Sequence, residues 1–293
     1  MPYWAVWIDG MQKMIVNFSK MHGLSNDFVV LDATQKPIDL DLNHKTIERL
    51  SHRKTGIGFD QLLVVEPSTH AGIDFRYRIF NADGSEVEHC GNGARCFAKF
   101  VIDKGLTDKY QLTVAIQKGL LNISYYSDTM ITVNMGEPVL SPSMIPFVHS
   151  AADSQSHYAL AIDRQTVQAA VLSMGNPHAV ILVDDVWQYD IDPLSKAIQA
   201  SPYFPQSVNI NYVEIINTRA IALRTYERGV GETYACGSGA CAAAYALARL
   251  QQRVHCPLMV SMRGGDLQVD IDDNNHILIT GPAVLVYDGY VYV

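Results

Sequence analysis

Two cysteines stand in matching contexts, one in FNADGSEVEHCGNGARC from Phe80 and the other in YERGVGETYACGSGAC from Tyr226. Each copy places an aromatic residue, a glycine-containing turn, an acidic residue at the seventh position (Glu86 or Glu232), then Cys-Gly-polar-Gly-Ala beginning ten residues after the aromatic. In both, the cysteine precedes a Gly-x-Gly loop that leads into a stretch of helical periodicity. The glycines permit tight backbone geometry and leave consecutive N–H groups free to face a ligand. At a helix N-terminus such donors suit a carboxylate, and the same position lowers a thiol pKa towards the physiological range. Each copy therefore supplies one ionisable thiol, Cys90 or Cys236, and one anion nest. Two such sites facing one amino acid would hold its α-carboxylate while one thiolate removes the α-proton and the other thiol donates from the opposite face. The chemical outcome is inversion.

Other uses of cysteine ask for other patterns. Structural zinc usually takes Cys-x2–4-Cys pairs, whereas here the intervals are Cys90-x5-Cys96 and Cys236-x4-Cys241, with the second cysteine of each pair expected inside a helix. The Cys-x-x-Cys of thioredoxin-like centres is absent, and GIGFDQ and CGNGARC lack the complete G-x-G-x-x-G of a dinucleotide loop. Buried structural thiols remain the alternative for Cys90 and Cys236, and the leading reading for Cys96, Cys241 and Cys256. No metal and no cofactor are expected. Lys99, in the helix after Cys90, is expected at the surface and does not make a pyridoxal site.

The elements that must position these loops are mostly strands. Alternating and β-rich runs such as DFVVLDAT, DQLLVVE, DFRYRIF, HAVILVDD and HILITGPAVLVYDGYV dominate, with helical periodicity near 44–53, 92–104, 193–201 and 238–253. Many strands with few helices point to α+β or mixed α/β. The aligned cysteines lie 146 positions apart (236 minus 90), half of the 293-residue chain, so two similar halves are expected. A weaker echo pairs MHGLSNDFVVL from Met21 with MGNPHAVILV from Met174. The segment 136–165, with its prolines and polar ADSQSH tract, reads as a crossover between two bodies.

Composition sets further limits. With 22 basic and 30 acidic residues the net charge is −8, which argues against a dedicated nucleic-acid binder. A 48% hydrophobic content suffices for two cores. No stretch reaches the roughly 18 apolar residues of a membrane span, and Asp9 interrupts the apolar opening. Five cysteines, an odd number in a large chain, do not suggest a disulfide scaffold, so a reducing cytoplasm is the default.

At this point the sequence resembles the diaminopimelate epimerase family, through KMHGLSNDFVVLD, TGIGFDQLLVVE, YRIFNADGSEVEHCGNGARCFAKF, VNMGEP, SMGNPHAV, YERGVGETYACGSGACAAA and the closing YDGYV. The resemblance runs from about residue 17 to the C-terminus. It implies an α+β fold of two similar domains related by pseudo-twofold symmetry, with the active site in the interdomain cleft. It implies a cofactor-independent isomerase that interconverts LL- and meso-diaminopimelate in bacterial lysine and peptidoglycan precursor synthesis, often as a homodimer. The domains would be 1–135 completed by 282–293, and 136–281.

The same resemblance makes Cys90 and Cys236 the acid/base thiols. Asn26, Gln61, Asn81, Asn176, Asn209, Glu227 and Arg228 match substrate contacts, with Arg228 gripping a distal carboxylate. Gly91 and Asn92, with Gly237 and Ser238, match the carboxylate nests, and His178 and Glu227 match residues that tune the cysteines. Ser25 stands where glycine is common, so the backbone there must tolerate a side chain, and SVNINY departs from the family pattern after Asn209. Residues 1–13 carry no corresponding motif, and Met14 is a candidate start. A two-cysteine racemase or epimerase acting on proline or hydroxyproline is the alternative, disfavoured by Arg228. A noncatalytic metabolite-binding member is the third reading.

Overall fold

The computed structural model describes every residue except 1–4, 9–10, 39–41, 88–89 and 150–154, and for 5–8 and 11–14 the backbone alone. The chain forms two compact units, residues 1–133 with 282–293 and residues 134–281. Each is a mixed sheet with few helices, giving a two-domain α+β fold.

The first unit contains β1 (Ala5–Ile8), β2 (Met11–Gly23), β3 (Asn26–Asp32), α1 (His44–Ser51), β4 (Gln61–Pro67), β5 (Phe75–Asn81), β6 (Glu86–Val87), α2 (Gly91–Asp103), β7 (Gln111–Ala115), β8 (Leu120–Ser127) and β9 (Met130–Asn134). The second contains β10 (Tyr158–Ile162), β11 (Gln165–Ser173), β12 (Pro177–Leu182), α3 (Ile191–Gln199), β13 (Asn209–Asn217), β14 (Ala220–Glu227), β15 (Gly231–Thr233), α4 (Gly237–Tyr245), β16 (Leu258–Met262), β17 (Gly265–Ile271) and β18 (Ile277–Gly281). The chain then returns to the first unit as β19 (Val284–Tyr292), antiparallel to β2.

The two units repeat one strand plan. In the first, β2 is antiparallel to β3, β3 parallel to β4, β4 antiparallel to β5, and β5 makes a hairpin with β6 before pairing in parallel with β7. In the second, β11, β12, β13, β14, β15 and β16 pair in the same sequence of directions. A helix lies in each parallel crossover, α1 between β3 and β4, α2 between β5 and β7, α3 between β12 and β13 and α4 between β14 and β16, as parallel strands require. The repeated motif keeps its register: Phe80 opposes Glu86 and Tyr226 opposes Glu232.

Both helices that follow the cysteines are embedded. In α2 every residue from Gly91 to Val101 is buried, and Phe97 stacks on Tyr77 at 5.2 Å and meets Phe75 edge-on at 5.8 Å. In α4 the run of Ala240, Ala242, Ala243 and Ala244 is fully buried; small side chains let the sheet approach the helix closely. The second core gathers Tyr158, Leu160, Phe204, Ile210 and Tyr212.

Three expectations change. The segment 136–165 is not all crossover: it holds β10, which forms a hairpin with β11, and 150–154 of the ADSQSH region lie outside the described residues. Tyr158, Leu160 and Ile162 alternate inward in β10, but alanines at the outward positions hide the polar half of the pattern. The helix expected over 238–253 is α4 alone, followed by a single π turn at Ala246–Leu250. Lys99 is buried rather than on the surface, because Asp103 at 2.9 Å and Asp128 at 2.8 Å neutralise it. At the opening, β1 pairs with Met11–Met14 and extends β2; the side chains of the apolar segment lie outside the described residues.

The departure at Ser25 has a structural consequence. Leu24 and Ser25 form the two-residue turn from β2 to β3, with φ of 54° and 67°. Two consecutive positive φ values match the hairpin turn that glycine and asparagine favour.

Candidate active site

In the first unit, Cys90 is the N-cap of α2 in extended conformation (φ −142°), and its carbonyl accepts the first helical bond from Ala94 N–H at 2.8 Å. The thiol is half-buried and lies 3.7 Å from Asn26 Oδ1. The Asn92 side-chain amide donates to the same oxygen at 3.3 Å. Asn26 therefore meets Cys90 and Asn92 at the loop where β3 begins. Gln61 and Asn81, directly opposed on β4 and β5, join through Gln61 Nε2 and Asn81 Oδ1 at 2.9 Å. Gln61 Oε1 is buried without a partner among the described residues, an acceptor that an ammonium group would satisfy.

Behind these residues lie groups the sequence reading missed. Arg95, fully buried one turn into α2, donates to Asn92 Oδ1 at 2.7 Å, Gly91 O at 3.3 Å and Pro282 O at 3.1 Å. Asp60 accepts from the Asn26 amide at 3.2 Å and from Asp27 N–H at 3.0 Å. Asp27 is gripped by Arg53 at 2.8 and 2.9 Å and by Lys20. Burial works to raise its pKa, but the bonds from Arg53 and Lys20 outweigh it and hold the carboxyl well below the usual range.

In the second unit Cys236 is the N-cap of α4 (φ −126°), 5% exposed, and its Sγ accepts from Gly239 N–H at 3.3 Å. The Ser238 hydroxyl is 3.5 Å from the same sulfur. Gly239 has no room for a side chain: an added Cβ would fall 2.5 Å from Asn211 Oδ1 and 2.9 Å from Thr225 Oγ1. Asn211 Oδ1 accepts from Thr225 at 3.1 Å, and its amide donates to His178 Nδ1 at 3.1 Å. His178 is fully buried, with Nε2 on Asn176 Oδ1 at 2.9 Å. Both ring nitrogens are thus engaged by asparagines, one of which, Asn211, packs closely against Gly239.

Asn209 opens β13 and is buried, its Oδ1 accepting from Arg228 N–H at 2.9 Å, so it shapes the hairpin that carries Arg228. The Arg228 guanidinium is exposed and donates to Gln206 O at 3.0 Å. Glu227 accepts from the Thr233 hydroxyl at 2.5 Å.

The repeated acidic residues have a scaffolding task. Arg78 holds Glu86 through two bonds of 2.9 and 2.8 Å, and Arg224 holds Glu232 through two of 2.7 and 3.0 Å. Each pair clamps the hairpin just before its cysteine. The signal was in the sequence: arginine stands two residues before the aromatic in both copies, upstream of where the repeat was aligned. The remaining cysteines are unlike the pair. Burial pushes the Cys96 thiol up to about 12 and that of Cys256 up to about 11.

Comparison with known proteins agrees with this duplicated design. The sequence model of the diaminopimelate epimerase family matches residues 18–141 and 170–286. The diaminopimelate epimerase of Pseudomonas syringae pv. tomato (strain ATCC BAA-871 / DC3000) is 47% identical over 279 residues, covering 95% of this chain and 99% of the relative. That of Ectopseudomonas mendocina (strain ymp) is 45% identical over the same shares. Among solved structures, a Bacillus anthracis phenazine biosynthesis protein of the PhzF family has a TM-score of 0.67 at 17% identity, covering 95% of this chain and 99% of its own. A hydroxyproline epimerase from Agrobacterium vitis has a TM-score of 0.65 at 13% identity, covering 95% and 93%. At such identities these two speak for the fold alone. The family match over most of the chain and the near-complete alignment with curated relatives lead to one conclusion: this chain belongs to the diaminopimelate epimerase family.

Proposed function

We infer that this protein is a cofactor-independent epimerase that interconverts LL- and meso-diaminopimelate. The observation that carries the reading is the duplicated cysteine at a helix N-cap, set in a chain that aligns almost end to end with diaminopimelate epimerases. Cys90 and Cys236 act as the two acid/base thiols, one removing the α-proton as thiolate and the other returning a proton as thiol. The N–H groups of the Gly91–Asn92 and Gly237–Ser238 turns hold the α-carboxylate. Gln61, with its unpaired acceptor, and Asn26, Asn81, Asn176 and Asn209 surround the substrate's polar groups. Arg228 takes the distal carboxylate, with Glu227 beside it, and His178 tunes Cys236 through Asn211. We read the domains as 1–135 completed by 282–293, and 136–281.

A second copy of the chain and a cytoplasmic setting complete the proposal. β19 pairs with β2 and exposes Val286, Tyr287 and Tyr290, a face suited to a symmetric partner. No helix among the described residues is long and apolar enough to cross a membrane. The deciding assay compares turnover of diaminopimelate and of proline by the wild type and by Arg228→Ala. Turnover of diaminopimelate that collapses in the variant supports the reading. Preference for proline, indifferent to Arg228, replaces it with the racemase alternative.

A further inference from the structure

We propose that Asp60 and Arg95 are positioning residues that hold Cys90 in its thiol form through the side chains of Asn92 and Asn26, an inference that rests on Cys90 being an acid/base thiol. The donors run in one direction only. Arg95 has nothing but N–H groups to offer, so its 2.7 Å bond turns Asn92 Oδ1 towards it. Asn92 Nδ2 is then the group that reaches Asn26, at 3.3 Å, and Asn26 must present Oδ1. Asn26 Nδ2 is left to donate to Asp60 Oδ2 at 3.2 Å. A cation at one end and a carboxylate at the other leave neither amide a second orientation.

Cys90 Sγ meets this chain at Asn26 Oδ1, 3.7 Å away. That oxygen accepts from an S–H and has nothing to give a thiolate, so the relay favours the protonated sulfur. Cys236 has the opposite neighbour, a backbone N–H from Gly239 at 3.3 Å, which favours the thiolate. The two halves thus prepare one donor and one base. Asp60 is itself anchored, by Arg53 at 2.7 Å and by Asp27 N–H at 3.0 Å. Among the described residues, Tyr77 on β5 and Cys96 on α2 also interact with Cys90, and burial raises both. Glu88 and His89, its neighbours in sequence, lie outside the described residues.

The test is iodoacetamide labelling of the ligand-free full chain at one fixed pH, read cysteine by cysteine by peptide mass spectrometry. Asp60→Asn keeps the shape and removes the charge that orients Asn26. Cys90 should then label about five- to tenfold faster, the worth of one hydrogen bond, with Cys236 and Cys96 unchanged. Asn26→Ala should give the same acceleration, and adding Asp60→Asn to it should change nothing further, since Asp60 acts through Asn26. Arg95→Lys keeps the charge but loses the planar reach to its acceptors, and should accelerate Cys90 in the same sense. An unchanged Cys90 rate in Asp60→Asn, or additive effects in the double variant, overturns the proposal. Parallel labelling of buried Cys96 would mark local opening and overturns it too. Labelling needs no substrate, so this failure is distinct from failure of the two-thiol reading, which turnover by Cys90→Ala tests.

Discussion

Asn211 donates its amide to Nδ1 of His178 at 3.1 Å, so the ring proton sits on Nε2, facing Asn176, and the imidazole is neutral. Burial, with the Arg228 charge adding to it, pushes the His178 pKa down to about 3. In the unfolded chain histidine titrates near ~6.5, so below that pH the unfolded state takes up a proton that the folded state refuses. The stability this group contributes is complete above about pH 6.5 and is lost as pH falls towards 3. Urea unfolding of His178→Gln should show a flatter decline between about pH 6.5 and 4 than the wild type. Identical acid slopes would show that His178 is not the group responsible.

The two arginine–glutamate clamps should differ in worth because they differ in burial. The Arg224 side chain is 8% exposed and also serves the carbonyls of Val186 and Tyr189, whereas that of Arg78 is 31% exposed. Arg224→Met strands buried acceptors and a carboxylate and should cost about 3–5 kcal/mol. Arg78→Met should cost about 1–2 kcal/mol, near an ordinary charged hydrogen bond. Equal losses in denaturant titrations would refute the ranking.

Gly239→Ala must displace Asn211 or Thr225, since the new Cβ would sit 2.5 Å and 2.9 Å from their oxygens. A shift of that size next to Cys236 should lower kcat by roughly 100-fold. Gly93→Ala, the equivalent change in the first unit, meets apolar side chains first, those of Phe28, Ile79 and Leu63 at 3.2, 3.3 and 3.5 Å, and should reduce kcat much less. Steady-state kinetics of the two variants will order them.

Ser25→Gly should stabilise the protein. Serine at φ 67° bears the left-handed strain that glycine escapes, and relief net of chain entropy is about 1 kcal/mol. A lower melting temperature in the variant would contradict the strain.

The repeated motif was legible because its parts are local: the distance from aromatic to acid to cysteine is that of a hairpin entering a helix, and both copies keep that register. The number of β-rich runs pointed to α+β or mixed α/β, the family resemblance narrowed it to α+β, and that class holds. Asp60 and Asn211 were not legible, because their partners Asn26, His178 and Thr225 come from other parts of the chain; Arg95 has local partners in Gly91 and Asn92, but its burial and its bond to Pro282 depend on the tertiary fold. Lys99 was misread for the same reason: helical position alone suggests solvent, but Asp128 on the β8–β9 turn neutralises it. The β10 strand escaped because alanine can face solvent in a strand without signalling it.

The central claim is that Cys90 and Cys236 exchange the α-proton. Its most direct test is epimerisation of diaminopimelate in deuterium oxide by the wild type, Cys90→Ala and Cys236→Ala, with label located by mass spectrometry and folding checked by circular dichroism. The wild type should place solvent deuterium at the inverted α-carbon. Each folded variant should lose about 100-fold or more of the epimerisation rate. Unlabelled inverted product from the wild type, or ordinary turnover by either variant, would contradict the account.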